Sequence, residues 1–107
     1  GARQRTTALM YLNDVLACGA LDAALNMGLR VPQDVSVTGL DDVPGSDLRG
    51  LTTALVPYRP MGELAGQALV ARIAGDPAPP LPPLPVPLAV RATTGHAPRP
   101  APGPRSS

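Results

Sequence analysis

Apolar and polar positions along the first forty residues follow two different periods. T-A-L-M-Y-L (7–12) is a short apolar run of strand length, followed at once by Asn13 and Asp14. Both residue types are favoured at helix N-caps. From Val15 to Met27 the apolar positions Leu16, Ala17, Ala20, Leu21, Ala24 and Leu25 take the i, i+3, i+4, i+7 spacing of one helical face. Gly28 stands where a left-handed C-cap belongs. L-R-V-P-Q-D (29–34) is a connection in which Pro32 forbids further helix. V-S-V-T-G-L (35–40) predicts the next strand. Its valines alternate with Ser36 and Thr38, so the period alone also fits a half-exposed strand. Strand, helix and strand within residues 7–40 make a βαβ unit. Such a unit implies a parallel pair with a right-handed crossover.

V-P-G-S-D-L-R-G (43–50) is a turn-rich loop, and L-T-T-A-L-V (51–56) predicts a third strand stopped by Pro57. Pro60 fits the first turn of a helix. Met61, Leu64, Ala65, Ala68, Leu69 and Ile73 give that helix an apolar face over Met61–Ala74, and Gly75 ends it. From Asp76 onward the chain carries eleven of its fifteen prolines. L-P-V-P-L-A-V-R (84–91) predicts an edge strand or an extended crossover, since Pro is tolerated only on sheet edges. The pattern as a whole predicts an α/β fold built on a parallel-sheet βαβ unit. It divides the chain into a domain over residues 1–95 and a Pro-rich, disordered tail over 96–107.

Composition narrows the function classes. Nine Arg stand against eight Asp and Glu, a net charge of +1, too even to argue for nucleic acid or a membrane surface as a direct partner. Cys18 is the single cysteine, and the single histidine, His96, lies in the Pro-rich tail. No intrachain disulfide can form, Cys/His metal spacings are absent, and neither a metal nor a cofactor is expected. No apolar stretch approaches the ~18 residues of a membrane span. With two Tyr and neither Phe nor Trp, the core must be built from Leu, Val, Ala, Met and Ile. Small side chains bury less area each, so 107 residues of this composition are expected to be marginal alone. The chain begins with Gly1 rather than Met and is expected to be an excerpt of something longer.

The chemistry gathers at V-S-V-T-G-L-D-D (35–42), where a strand runs into two adjacent carboxylates. A carboxylate at the end of a buried strand is costly unless something pairs with it. In open parallel sheets the ligand crevice lies outside the carboxyl ends of the strands. Asn13 and Asp14 end the first strand and Asp41 and Asp42 the second, so the two pairs should meet at one sheet edge. Asn13 reads as a helix N-cap, and Asp14 as a first-turn charge complementing the helix dipole. Asp41 either accepts hydrogen bonds from ligand hydroxyls or amines, or closes an Asx-turn. Asp42 is assigned to the turn. A metal site would need further ligands at suitable spacing. Paired acid–base catalysis is disfavoured, because adjacent residues on an extended strand face opposite ways. Ser36, Thr52 and Thr53 have no His/Asp arrangement nearby, and no G-x-G-x-x-G occurs, so no enzyme is expected.

The stretch L-N-D-V-L-A-C-G-A-L-D-A-A-L-N-M-G-L-R-V-P-Q-D-V-S-V-T-G-L-D-D (12–42) resembles the C-terminal part of the sensor domain of LacI/GalR-type bacterial transcriptional regulators. The family pattern places Asn-Asp before Ala-x-Gly-Ala, then a helix, then Gly-x-x-Val-Pro-x-Asp-Val-Ser-Val-x-Gly, an aromatic and Asp-Asp. Asn13, Asp14, Ala17, Gly19, Ala20, Gly28, Val31, Pro32, Asp34 to Val37, Gly39, Asp41 and Asp42 match it. Leu51-Thr52-Thr53, Pro57 and Met61-Gly62 follow in register, and Arg91-x-Thr93-Thr94-Gly95 resembles the family's closing motif. The resemblance covers roughly residues 7–95. Leu40 stands in place of the usual aromatic, Val56 of a common Gln, Pro60 of a common Glu, and Arg49-Gly50 where Pro often precedes Leu-Thr-Thr.

The resemblance implies a periplasmic-binding-protein-like fold of two lobes with a ligand between them. This chain would carry most of the last βαβ of the C-terminal lobe, a crossover strand, a helix packing on the other lobe and a returning strand. Most of the first lobe and a DNA-binding helix-turn-helix would lie outside it. Asn13 would then also hydrogen-bond an effector hydroxyl. Tyr58 would be either an aromatic against the ligand or a hinge residue between lobes, while Tyr11 belongs to the core. The first helix and the loop after Asp42 would join a dimer interface, with Cys18, Leu21 and Arg49 as contacts. Cys18 is equally a small core hydrophobe. The implied function is effector sensing in a cytoplasmic, homodimeric regulator. Its ligand is a small polar, sugar-like molecule, and operator DNA is contacted only through the domain outside this chain. The alternative is a sugar-binding subunit of a bacterial ABC transporter, which shares the fold. The Val-Pro-x-Asp-Val-Ser-Val stretch favours the regulator.

Overall fold

The computed structural model describes residues 5–77 and 80–99. Its elements in chain order are β1 (Ala8–Met10), α1 (Asp14–Asn26), β2 (Ser36–Leu40), β3 (Thr52–Ala54), α2 (Tyr58–Ile73) and β4 (Leu88–Ala89). They form one sheet in the order β1-β2-β3-β4. The first three strands are parallel, with Leu9 opposite Val37 and Gly39 opposite Thr53. β4 closes the far edge antiparallel to β3. It is only two residues long, because the prolines up to Pro87 cannot donate to a ladder. The disorder expected for the tail concerns mainly residues 100–107, which lie outside the described residues.

α1 packs on β2 through a narrow stripe. Ala17 and Ala24 are fully inside, with Ala20 and Leu21 partly buried. Leu16 and Leu25, expected on the same face, are 50% and 78% exposed. Each lies one residue, about 100° of helical rotation, outside the Ala17–Ala24 stripe. The cap is as the sequence indicates: Asn13 is extended, and its Oδ1 accepts from the Leu16 amide at 2.9 Å. Gly28 takes φ +72° just past the helix end.

The core centres on Ala17, Val37 and Leu51, with Tyr11, Cys18, Leu21 and Val31 against it. Leu51 comes from the connection between β2 and β3, so that loop closes the core which α1 begins. β2 is buried at its start: Val35, Ser36 and Val37 are all inside. Ser36 is accommodated because its Oγ accepts from the Gly95 amide at 3.2 Å. The half-exposed strand that the alternating pattern allowed is therefore not what forms. The closing Thr93-Thr94-Gly95 segment covers this end of β2. Val37 donates to the Thr93 carbonyl at 2.9 Å, and Thr93 Oγ1 donates to the Val37 carbonyl at 2.7 Å. Thr93 Oγ1 also accepts from the Thr52 amide at 2.9 Å, joining β2 to β3.

The Val-Pro-x-Asp turn is closed by Asp34. Its carboxylate accepts from the Arg30 amide at 2.7 Å and from the Arg30 guanidinium at 3.1 and 3.2 Å. The hydrogen bonds from Arg30 hold its carboxyl at about 2, well below the ordinary Asp value. A carboxyl depressed on folding contributes stability above its unfolded value, and that contribution is lost as pH falls through the folded value. Asp34→Ala is therefore expected to lower the urea midpoint at pH 7, with a deficit that shrinks as the pH is brought down to 2. A deficit of the same size at both pH values would contradict this assignment.

α2 starts three residues earlier than the pattern indicates, at Tyr58. Pro60 is tolerated because first-turn amides have no intrahelical acceptor. No residue of α2 is fully buried, and Leu69, Val70 and Ile73 are more than half exposed. Met61 and Leu64 of α2 line an apolar groove together with Leu81, Leu84 and Val86 of the Pro-rich segment. No helix among the described residues is long and apolar enough to cross a membrane.

Candidate functional site at the carboxyl ends of the parallel strands

The turn leaving β2 has an unusual backbone. Asp41 and Asp42 both take positive φ, +125° and +60°. Such conformations cost non-glycine residues about 1–3 kcal/mol each and persist only where surrounding groups impose them. Here five hydrogen bonds on and around the turn do so. The Asp41 amide donates to the Ala54 carbonyl at 3.1 Å. Its carboxylate accepts from the Tyr58 hydroxyl. Arg91 Nη1 donates to Asp42 Oδ1 at 2.9 Å and to the Leu51 carbonyl at 3.1 Å. The Val43 amide donates to Asp14 Oδ2 at 3.0 Å.

Asp41 and Tyr58, singled out separately from the sequence, therefore meet. β2 delivers the carboxylate, and the Leu55-Val56-Pro57 link after β3 delivers the phenol at the first residue of α2. The hydrogen bond to Asp41, reinforced by partial desolvation and by the carboxylate charges of Asp41 and Asp14, raises the Tyr58 phenol above its ordinary value. The pair keeps open capacity. Among the described residues, Asp41 Oδ2 has no hydrogen-bond partner, and Tyr58 is 55% exposed. Asn13 stands at the end of the neighbouring strand. Its Oδ1 is used by the cap, and its amide nitrogen has no partner among the described residues. Capping and ligand contact are thus compatible in one side chain. No hydrogen bond joins Asn13 to Asp41 among the described residues; the strand ends are linked through their neighbours Asp14 and Val43.

Asp14 and Arg91 are the residues that sequence reasoning undervalued. Asp14 was expected to be a structural first-turn charge complementing the helix dipole, and it does stand in that turn. It is completely buried, and its carboxylate accepts from Ser46 Oγ and Thr53 Oγ1, each at 2.6 Å, as well as from Val43. Burial alone would raise its pKa; the hydrogen bonds from Ser46, Thr53 and the backbone outweigh it and hold the carboxyl below its ordinary value. Gly39 completes this nest, because a Cβ there would run into the Asp14 carboxylate. The sequence signal for Asp14 was slight: an acidic residue just after a strand, with its hydroxyl donors 32 and 39 positions away. Arg91 was legible only as part of the closing Arg-x-Thr-Thr-Gly.

Of the three residues assigned to a dimer contact, Cys18 and Leu21 lie on α1 and Arg49 in the loop between β2 and β3. Cys18 and Leu21 are partly buried against the core. Arg49 is exposed and pairs with Asp22 of α1 at 2.8 Å.

A family model described as a periplasmic binding protein-like domain matches residues 1–94. The chain belongs to the periplasmic binding protein-like domain family. The relatives are regulators of transcription. The transcriptional regulator MalR of Streptomyces coelicolor is 42% identical over 95 residues, which are 86% of this chain and 28% of MalR. The crystal structure of a LacI transcriptional regulator from a Rhodococcus species superposes with a TM-score of 0.78 at 35% identity, covering 92% of this chain and 37% of that one. A dimeric Lac repressor superposes with a TM-score of 0.76 at 37% identity, covering 87% of this chain and 35% of the repressor. The chain thus spans about a third of these relatives' length, and its resemblance is to LacI-type regulators rather than to enzymes. The transporter-subunit alternative gains no support from them.

Proposed function

We propose that this chain is the ligand-sensing portion of a LacI-type transcriptional regulator. It would contribute one wall of a cleft that takes a small polar, sugar-like effector, the opposite wall coming from a second lobe outside this chain. The observation that carries the reading is the Asp41–Tyr58 pair at the carboxyl ends of the parallel strands, with the Asn13 amide at the neighbouring strand end. An ionised carboxylate beside a phenol is an acceptor and donor set suited to vicinal hydroxyls. The exposed apolar face of α2 supports a partner lobe packing there.

In the complete regulator, cytoplasmic and homodimeric, ligand would favour one lobe arrangement and so change the spacing of two DNA-binding heads. Cys18, Leu21 and Arg49 would lie at or near the contact between protomers. The test is operator release by the full-length protein across a panel of mono- and disaccharides. At least one sugar is expected to shift both operator affinity and the melting temperature. A full panel with no response in either measurement would overturn the sugar-like reading.

A further inference from the structure

We propose that Asp14 is a positioning residue for the ligand acceptor, its buried carboxylate holding the Asp41–Asp42 turn in the left-handed backbone that presents Asp41 beside Tyr58. The functional meaning rests on the reading of Asp41 as the ligand acceptor; the test below does not.

Asp41 is reached from both sides. Downstream, Asp14 Oδ2 takes the Val43 amide at 3.0 Å, two residues beyond Asp41. The same oxygen takes Ser46 Oγ at 2.6 Å, fixing the far side of the loop. Asp14 Oδ1 takes Thr53 Oγ1 at 2.6 Å, on the strand whose next residue, Ala54, accepts the Asp41 amide. One carboxylate therefore ties the start of α1, the loop after β2 and the middle of β3 together around the turn. Upstream, Gly39 lies against the carboxylate with no room for a Cβ. This places the helix start directly over β2.

The donors also explain why the residue is an acid. The Val43 amide can only donate. The two hydroxyls at 2.6 Å are short, as hydrogen bonds to an ionised oxygen are. A buried acceptor-only group meeting three donors leaves no polar atom unpaired, and every buried side-chain polar atom among the described residues is satisfied. Arg91 does comparable work on Asp42, but from the half-exposed side of the turn, with 21% of its side chain accessible. Asp14 is the inner of the two anchors and the one that solvent cannot replace.

The experiment uses the full-length protein without ligand. Tyrosine labelled at Cζ gives one carbon resonance per phenol, and Tyr58→Phe identifies the one from Tyr58. In the parent this resonance should titrate above the ordinary tyrosine range, with Asp41, Asp14, Asp42 and Arg91 as the charged groups around the turn. Ser46→Ala, which keeps the Asp14 charge, is expected to bring that titration back toward the ordinary range; in Asp14→Asn the lost charge adds to the same change, so Asp41 exchange is the deciding readout there. Exchange of the Asp41 amide should speed up about tenfold or more in Asp14→Asn. A general loss of stability would speed exchange throughout the lobe without singling out Asp41 or the Tyr58 resonance. If both variants fold and leave the Tyr58 titration and Asp41 exchange as in the parent, the proposal is overturned. Should Asp14→Asn fail to fold, Ser46→Ala decides by the same two readouts. Loss of effector response in Asp41→Ala tests the ligand reading independently, so the two ideas can fail separately.

Discussion

Asp41→Ala in the full-length regulator should abolish or severely weaken the effector response while leaving operator binding intact. The variant removes a carboxylate whose one oxygen takes the Tyr58 hydroxyl and whose other has no hydrogen-bond partner among the described residues. Hydrogen bonds to a charged group contribute about 1.5–3 kcal/mol each, so losing one or two to ligand hydroxyls corresponds to roughly tenfold to ten-thousand-fold in affinity. The fold should tolerate the change. Asp41 is only partly buried, and the turn retains its Arg91, Val43 and Ala54 contacts. Operator affinity by fluorescence anisotropy, with and without a ligand to which the parent responds, measures both halves. Unchanged induction would sink the ligand role. Lost operator binding would show that Asp41 instead supports the architecture on which the DNA-binding heads depend.

Leu51→Ala should cause the largest loss of stability of any single truncation in this lobe. Leu51 is fully buried and is the largest side chain of a core whose other buried members are Ala17 and Val37. Removing a buried Leu costs about 2–5 kcal/mol, the upper part where surroundings cannot collapse into the cavity. Here Gly50, at φ +66°, and Thr52, whose amide and hydroxyl are both engaged, fix the backbone on either side. A urea midpoint lowered in proportion, with an unchanged slope, would fit this account. A midpoint within experimental error of the parent would show that the other lobe, and not this core, carries the stability. Leu25→Ala is the control: its side chain is 78% exposed here, and the same truncation should cost little.

Much of this structure was legible in local sequence. The 3.6-residue period, Asn13 and Gly28 determined α1 and both its ends, because caps and periodicity act over a few residues. Strand, helix and strand determined the parallel pair, and hence that Asn13 and Asp41 belong to the same sheet edge. The prolines after Asp76 determined that little regular sheet could follow.

Only tertiary structure decided the rest, and for one physical reason: long-range hydrogen bonds leave no periodic trace. Asp14 reads locally as a helix-start charge; burial beside Ser46 and Thr53 makes it the acceptor around which the turn is built. Ser36 and Thr38 allowed a half-exposed strand; the Thr93–Gly95 segment, more than fifty residues away, buries its start. Leu16 and Leu25 match the helical period but face away from the sheet, because period fixes an angle and not which side is covered. The sequence by itself determined where the two aspartates would stand. The fold decided that Asp41 meets Tyr58 and Asp42 meets Arg91, because only packing β2 beside β3 brings those partners within reach.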